Sequence, residues 1–169
     1  MKSILKTQLL FLLLSPPSTA DDAPVPTSIQ GAIIGKILPY VRSFRGTEIH
    51  LLVVYTVEGQ SLVDEAIRSL NGQGISLRPV ELGELKGTIA TADAVYVLPG
   101  AASASAKQLC QESGVLSISA VPSLVESGDF SIGIGTKGGR PQILVNLSRL
   151  EAEGHQVSSE LLKLAKVIP

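Results

Sequence analysis

Two histidines, one cysteine and a cluster of glycines near the last hairpin-like stretch are the residues whose types could do chemistry in this 169-residue chain. Gly133-Ile134-Gly135 followed by Gly138-Gly139 has the density of a phosphate-cradling loop. Such a loop must open a helix, because the helix N-terminal N–H groups hold the phosphate. Here Pro141 begins another apolar run, so a hairpin turn is the better reading. His50 stands inside an apolar run, where a hydrogen-bonded structural imidazole is expected rather than a base. His155 follows Gly154 in a turn between helices and is expected to be solvated. Asp64-Glu65 sits on an exposed helix face without a carboxylate partner. Cys110 reads as a buried, inert thiol, with an intermolecular disulfide as the alternative in an oxidising compartment. No Gly-x-Ser-x-Gly elbow occurs. Two His and one Cys cannot build a dedicated zinc cage of nitrogen and sulfur ligands. The expectation is a chain with no catalytic residues, no metal and no cofactor.

A weaker signal concerns binding. Pro99-Gly100-Ala101-Ala102-Ser103 stands between a buried strand and a helix, and in open α/β sheets ligands gather beyond the carboxyl ends of the strands. Tyr55-Thr56 and Ser119-Ala120 should open on the same edge. Tyr55, Thr56, Gly100, Ser103 and Ser119 therefore form a candidate small-ligand crevice of hydroxyls and exposed amides. Helix capping by Ser103 or by the preceding backbone is the competing reading.

The elements that must position these residues alternate along the chain. Lys2 and Lys6, the apolar run Leu9 to Leu14, Pro16-Pro17 and Ser18-Thr19-Ala20 make residues 1–20 a secretory signal, cleaved after Ala20. The apolar run is too short to span a bilayer. Cleavage takes Lys2 and Lys6 from the 14 basic residues and none of the 15 acidic ones, which moves the formal charge from −1 to −3. Residues 21–27 read as an extended leader, and residues 28–169 as one α/β domain. Ser28 can cap a helix running to about Phe44, interrupted by Pro39. Glu48 to Tyr55 is a continuous apolar run that suits a strand buried on both faces. A helix over Leu62 to Leu70 ends at Asn71-Gly72. Strands follow at Ile75 to Leu82, Ala94 to Leu98 and Val115 to Ala120, with an Ala-rich helix over Ala101 to Glu112. Phe130 to Gly135 and Pro141 to Leu147 pair as a hairpin. Helices over Ser148 to Glu153 and Ser158 to Val167 close the chain. The fold class is α/β: a single domain with a mostly parallel sheet flanked by helices and an antiparallel edge hairpin.

Composition excludes some partners. A near-neutral balance with 4% aromatic residues and no Trp offers neither a basic face nor a stacking platform for nucleic acid. No stretch of the mature chain approaches membrane-spanning length.

The last third of the chain resembles the YfiR/HmsC-type periplasmic regulator family. The residues that carry the resemblance are Gly133-Ile134-Gly135, Pro141-Gln142-Ile143-Leu144-Val145-Asn146-Leu147, Gly154, Ser158-Ser159, and Leu161-Leu162-Lys163-Leu164-Ala165-Lys166-Val167. Each has a structural reason to be there. Asn146 at a strand end can bond the backbone of the following turn. Ser158 and Ser159 can cap the last helix. Leu161, Leu162, Leu164 and Ala165 can pack that helix on the sheet. The resemblance implies a periplasmic, non-enzymatic regulator that holds the periplasmic portion of an inner-membrane signalling protein such as a diguanylate cyclase. Held so, the cyclase makes less cyclic di-GMP, and release favours biofilm and exopolysaccharide. The chain departs from better-known members in having Leu38-Pro39-Tyr40 where they often carry Trp-Pro. It also has a lone Cys110 where some carry paired cysteines. The alternative function is a small-ligand sensor or an accessory of an outer-membrane receptor or uptake system. A homodimer could form through the hairpin edge or the first helix.

Overall fold

The computed structural model describes residues 24–169. The signal expected over residues 1–20 lies outside the described residues, as does the leader up to Ala23. Seven strands form: β1 (Ile49–Tyr55), β2 (Ile75–Glu81), β3 (Ala94–Val97), β4 (Leu116–Ser119), β5 (Ile132–Lys137), β6 (Arg140–Asn146) and β7 (Lys166–Ile168). They hydrogen-bond in the order β2-β1-β3-β4-β5-β6-β7. Every neighbouring pair is parallel except β5 and β6.

The central strands are apolar throughout because both their faces are covered. In β1, Leu51 and Val53 face one core while Leu52 and Val54 face the other. The first core is closed by α1 (Thr27–Ile37), α2 (Gln60–Leu70), α6 (Leu147–Ala152) and α7 (Ser159–Leu164), through Ile34, Leu70, Leu150 and Leu161 among others. The second is closed by α3 (Leu85–Thr88), α4 (Ala104–Ser113) and α5 (Pro122–Glu126), through Leu85, Cys110 and Val125.

Polar side chains in the first core are satisfied. The fully buried Tyr96 donates its hydroxyl to Gln30 Oε1 at 3.2 Å. Burial first, and the charge of Glu65 second, raise the phenol above its ordinary pKa, so it stays a donor. Gln30 in turn donates to the carbonyls of Val25 at 2.8 Å and Ala120 at 3.3 Å. That amide ties the start of the described chain to the end of β4.

Several boundaries differ from the sequence reading. Pro26, extended at φ −53° and ψ 142°, precedes α1, and Ser28 lies inside its first turn. The Ser28 N–H instead donates to Glu65 Oε1 at 3.0 Å, so Glu65 joins α2 to α1 rather than standing idle. The α1 helix stops at Ile37, and Leu38–Tyr40 continue as a single 3₁₀ turn where Pro39 cannot supply an N–H. Val25 is buried, so the end of the leader belongs to the core. The last helix stops at Leu164, whose side chain is 71% exposed rather than packed on the sheet. Residues 166–168 leave the helix and add β7 beside β6, so the antiparallel pair has a further strand outside it. The hairpin turn itself is Gly138-Gly139, both at positive φ (56° and 74°), as a two-residue connection with the right twist requires.

Candidate functional site

The strand order places β1 between β2 and β3, so the chain leaves it by α2 over one face and returns by α3 over the other. That is a switch point, where the carboxyl ends of β1 and β3 part and leave a crevice. Thr56 leaves β1 in extended conformation and a 3₁₀ turn, Val57–Gly59, follows. Leu98 N–H donates to Val54 O at 2.9 Å, holding the exit of β3 beside it. Gly100 then turns at φ +86°, and a Cβ there would stand 3.4 Å from Thr56 Oγ1. The structure therefore brings Thr56 and Gly100 together. Next to them a cleft of about 700 Å³ opens toward α3 and α4, lined by Thr56, Glu58, Glu81, Lys86, Ser105 and Gln108 with Leu82 and Leu109 beneath. Gln108 Nε2 donates to Glu112 Oε1 at 2.6 Å on the far wall.

The other three crevice candidates are spent elsewhere. Ser103 caps α4, its Oγ accepting from Ala106 N–H at 3.1 Å. Ser119 is fully buried, and its hydroxyl closes a turn with the N–H and carbonyl of Val121 at 3.0 and 3.2 Å. Tyr55 packs against the core on the α1/α2 face, away from the cleft. A second groove, of about 790 Å³, lies at the carboxyl ends of β4 and β5. It runs between Pro99 and Val121–Ser123 on one side and Gly135–Lys137 on the other.

The C-terminal signature residues act within the fold. Asn146 caps α6 by accepting from Arg149 N–H at 2.9 Å, and its amide donates to Val125 O at 3.1 Å. Gly154 turns at φ +80°. Ser158 caps α7 through Leu161 N–H at 3.3 Å, Ser159 is the first helical residue, and Leu161 is buried.

Sequence reasoning missed the most polar buried cluster. Arg149 and Glu153, 5% and 2% exposed, pair through Nε and Oε1 at 2.9 Å. Glu153 Oε2 accepts from Ser131 Oγ at 2.6 Å and from Ser117 N–H at 2.9 Å. Arg149 also donates to Gln111 Oε1 at 2.8 Å and to the carbonyl of Lys107. The pair thus locks α6 to α4, β4 and the entry of β5. Its i,i+4 spacing was visible but reads as a helix surface pair. Burial and the Glu153 charge push the adjacent Cys110 thiol up to about 12 despite Arg149. The two histidines exchange their expected roles. His50 is exposed on β1. His155 is 8% exposed, with Nδ1 at 3.0 Å from Ser43 Oγ, Nε2 at 2.9 Å from Gly114 O, and its ring edge-on to Phe44.

Residues 27–166 match the family described as YfiR/HmsC-like. No curated protein matches the chain. Among solved structures it is similar to a conserved domain protein from Vibrio cholerae, with 16% identity, TM-score 0.65, and 85% of this chain against 60% of that one. It is also similar to an ABC domain in complex with L-Trp from Streptococcus pneumonia, with 14% identity, TM-score 0.61 and the same coverage. A third is the ligand-free, open form of CD0873, a substrate binding protein with adhesive properties from Clostridium difficile. Identity there is 13%, the TM-score 0.58, and coverage 89% of this chain and 65% of that one. These likenesses are of fold, and the chain spans 60% to 65% of the length of the three proteins.

Proposed function

The chain belongs to the YfiR/HmsC-like family, and from that premise we propose that it is an exported, non-enzymatic regulator. It restrains the periplasmic portion of an inner-membrane signalling protein, a diguanylate cyclase being the leading case. The family match over residues 27–166 carries this reading. In it, the first twenty residues direct export and are removed after Ala20. Among the described residues no helix is long and apolar enough to cross a membrane. The exposed apolar side chains of Leu147, Leu164 and Val167, on α6, α7 and β7, supply surface of the kind a protein partner covers. Removing the protein from its host is expected to raise cyclic di-GMP, and restoring it to lower the level again. An unchanged level would contradict the cyclase as target.

A second reading is favoured by the cleft at the β1/β3 switch point and by the fold shared with ligand-binding proteins. Here the domain captures a small molecule beside Thr56. A ligand that binds the native state alone raises the thermal midpoint as its concentration rises. A metabolite that does so for the native protein, and fails to for Glu81→Ala with the fold intact, would establish this reading.

A further inference from the structure

The cleft at the β1/β3 switch point joins unneutralised carboxylates to an aliphatic floor. β1 and β2 run parallel with Tyr55 opposite Glu81, so Glu81 ends its strand level with the exit of β1. Glu58 stands in the turn that follows that exit. Strand pairing, rather than nearness in sequence, therefore sets the two carboxylates on one edge of the sheet. Both are exposed, and neither takes part in any of the three ion pairs formed among the described residues. A third carboxylate, Glu112, accepts from the neutral amide of Gln108, which leaves its charge in place. Lys86 is the only cation among the described residues that line the cleft, so three carboxylates against one ammonium leave a net charge of −2.

The surface among these charges is aliphatic. Leu82 and Leu109 are half-buried, and Val57 on the rim is 65% exposed. A hydrated metal ion has no use for such a floor, because its ligands are oxygens. An anion meets like charge there, which costs affinity. A linear diamine answers both features: its two ammonium groups balance the excess charge, and its methylenes cover the leucines. Each ammonium carries three N–H donors for carboxylate and hydroxyl oxygens, and Thr56 and Ser105 add hydroxyls to the lining. A volume of about 700 Å³ lies within the range of small-molecule sites.

We propose that the cleft takes a linear aliphatic diamine, with its ammonium groups on Glu58 and Glu81 and its methylene chain over Leu82 and Leu109. This rests on the second reading above, in which the domain captures a small molecule beside Thr56, and gives that molecule its chemical class.

Titration of the full-length chain with 1,5-diaminopentane, 1-aminopentane, 1,5-pentanediol and glutarate tests it, with affinity read by calorimetry and location by amide shifts in NMR. The diamine is expected to bind about tenfold more tightly than the monoamine, as one further charge-assisted contact dictates, and to shift the amides of Thr56, Glu58, Glu81 and Lys86. The diol and glutarate are expected to shift none of them. Glu58→Gln and Glu81→Gln, both at exposed positions, should each weaken the diamine by about tenfold. Lys86→Gln should tighten it by about threefold, and Glu126→Gln, outside the cleft, should leave it unchanged. Diamine shifts spread over the acidic surface and undiminished in Glu81→Gln would mark loose counterion binding and overturn the proposal. Tighter binding of the diol or glutarate in the cleft would overturn the class and leave the capture reading standing. Cleft amides unmoved by all of these probes would overturn both.

Discussion

The guanidinium of Arg149 is held by Glu153, Gln111 and the Lys107 carbonyl, in a site almost without solvent. Taking two charges out of water is costly, so such a pair holds position more than it adds stability. Breaking it is another matter, since one buried charge is left alone. Glu153→Gln is expected to cost about 3 to 5 kcal/mol in urea unfolding, and Arg149→Met with Glu153→Leu to recover much of that loss. Cys110 lies against the same pair, fully buried and with its thiol at about 12, so it is a protonated spectator at any physiological pH. A thiol reagent should leave the folded protein unlabelled and react with one equivalent only after denaturation. Asp129, hydrogen-bonded by Lys107 and then by Ser127, is held below its ordinary pKa. A depressed carboxyl stabilises the fold above its unfolded pKa, roughly 3.9, and loses that contribution as pH falls through the lower folded value. Comparing urea midpoints at neutral pH and near pH 3 should show a shallower acid loss for Asp129→Asn, by less than about 1 kcal/mol because the pair is partly exposed. None of these residues was legible as a site. Arg149 finds Gln111 38 positions away, and His155 finds Ser43 across 112, so no local pattern could mark either as buried.

At the scale of elements, α1 meets α2 through Gly31 and the turn after α2 through Gly35. A Cβ on Gly31 would lie 1.8 Å from Ser69 Oγ and 2.9 Å from Ser69 Cβ, whereas at Gly35 the obstacle is the flexible end of Gln73. Gly31→Ala is therefore expected to destabilise by about 1 to 3 kcal/mol, and Gly35→Ala by less, in a chemical denaturation series. The buried strands were legible because their apolar runs are continuous, and the hairpin because two glycines mark its turn. Two elements were not. The segment Pro122–Glu126 is one short helix started by a proline, too brief to carry a period. Leu164-Ala165-Lys166-Val167 has helical propensity, yet Lys166–Ile168 pair with β6. A three-residue strand exists only through its neighbour, so tertiary pairing overrides propensity there.

At the scale of the whole molecule, the order of strands was legible only as a class. Alternating strands and helices implied a mostly parallel sheet, and the sheet has that character, but the place of β1 between β2 and β3 is a long-range fact. That order brings Thr56 beside Gly100 and makes the cleft, while Ser103 and Ser119 answer to nearer backbone groups. The C-terminal signature was the most informative stretch. Asn146 and Ser158 cap helices with their side chains, so family membership could be read from residues whose work is structural. On the proposed reading, regulation resides in surfaces of the domain. The most direct measurement is to express the tagged full-length chain in its host, crosslink intact cells, and identify the envelope proteins captured. The account predicts an inner-membrane protein with a signalling domain on its cytoplasmic side, captured less well when Leu164→Glu and Val167→Lys are introduced. Recovery of the chain alone, or of an outer-membrane receptor, would contradict it and shift the function to the ligand cleft beside Thr56.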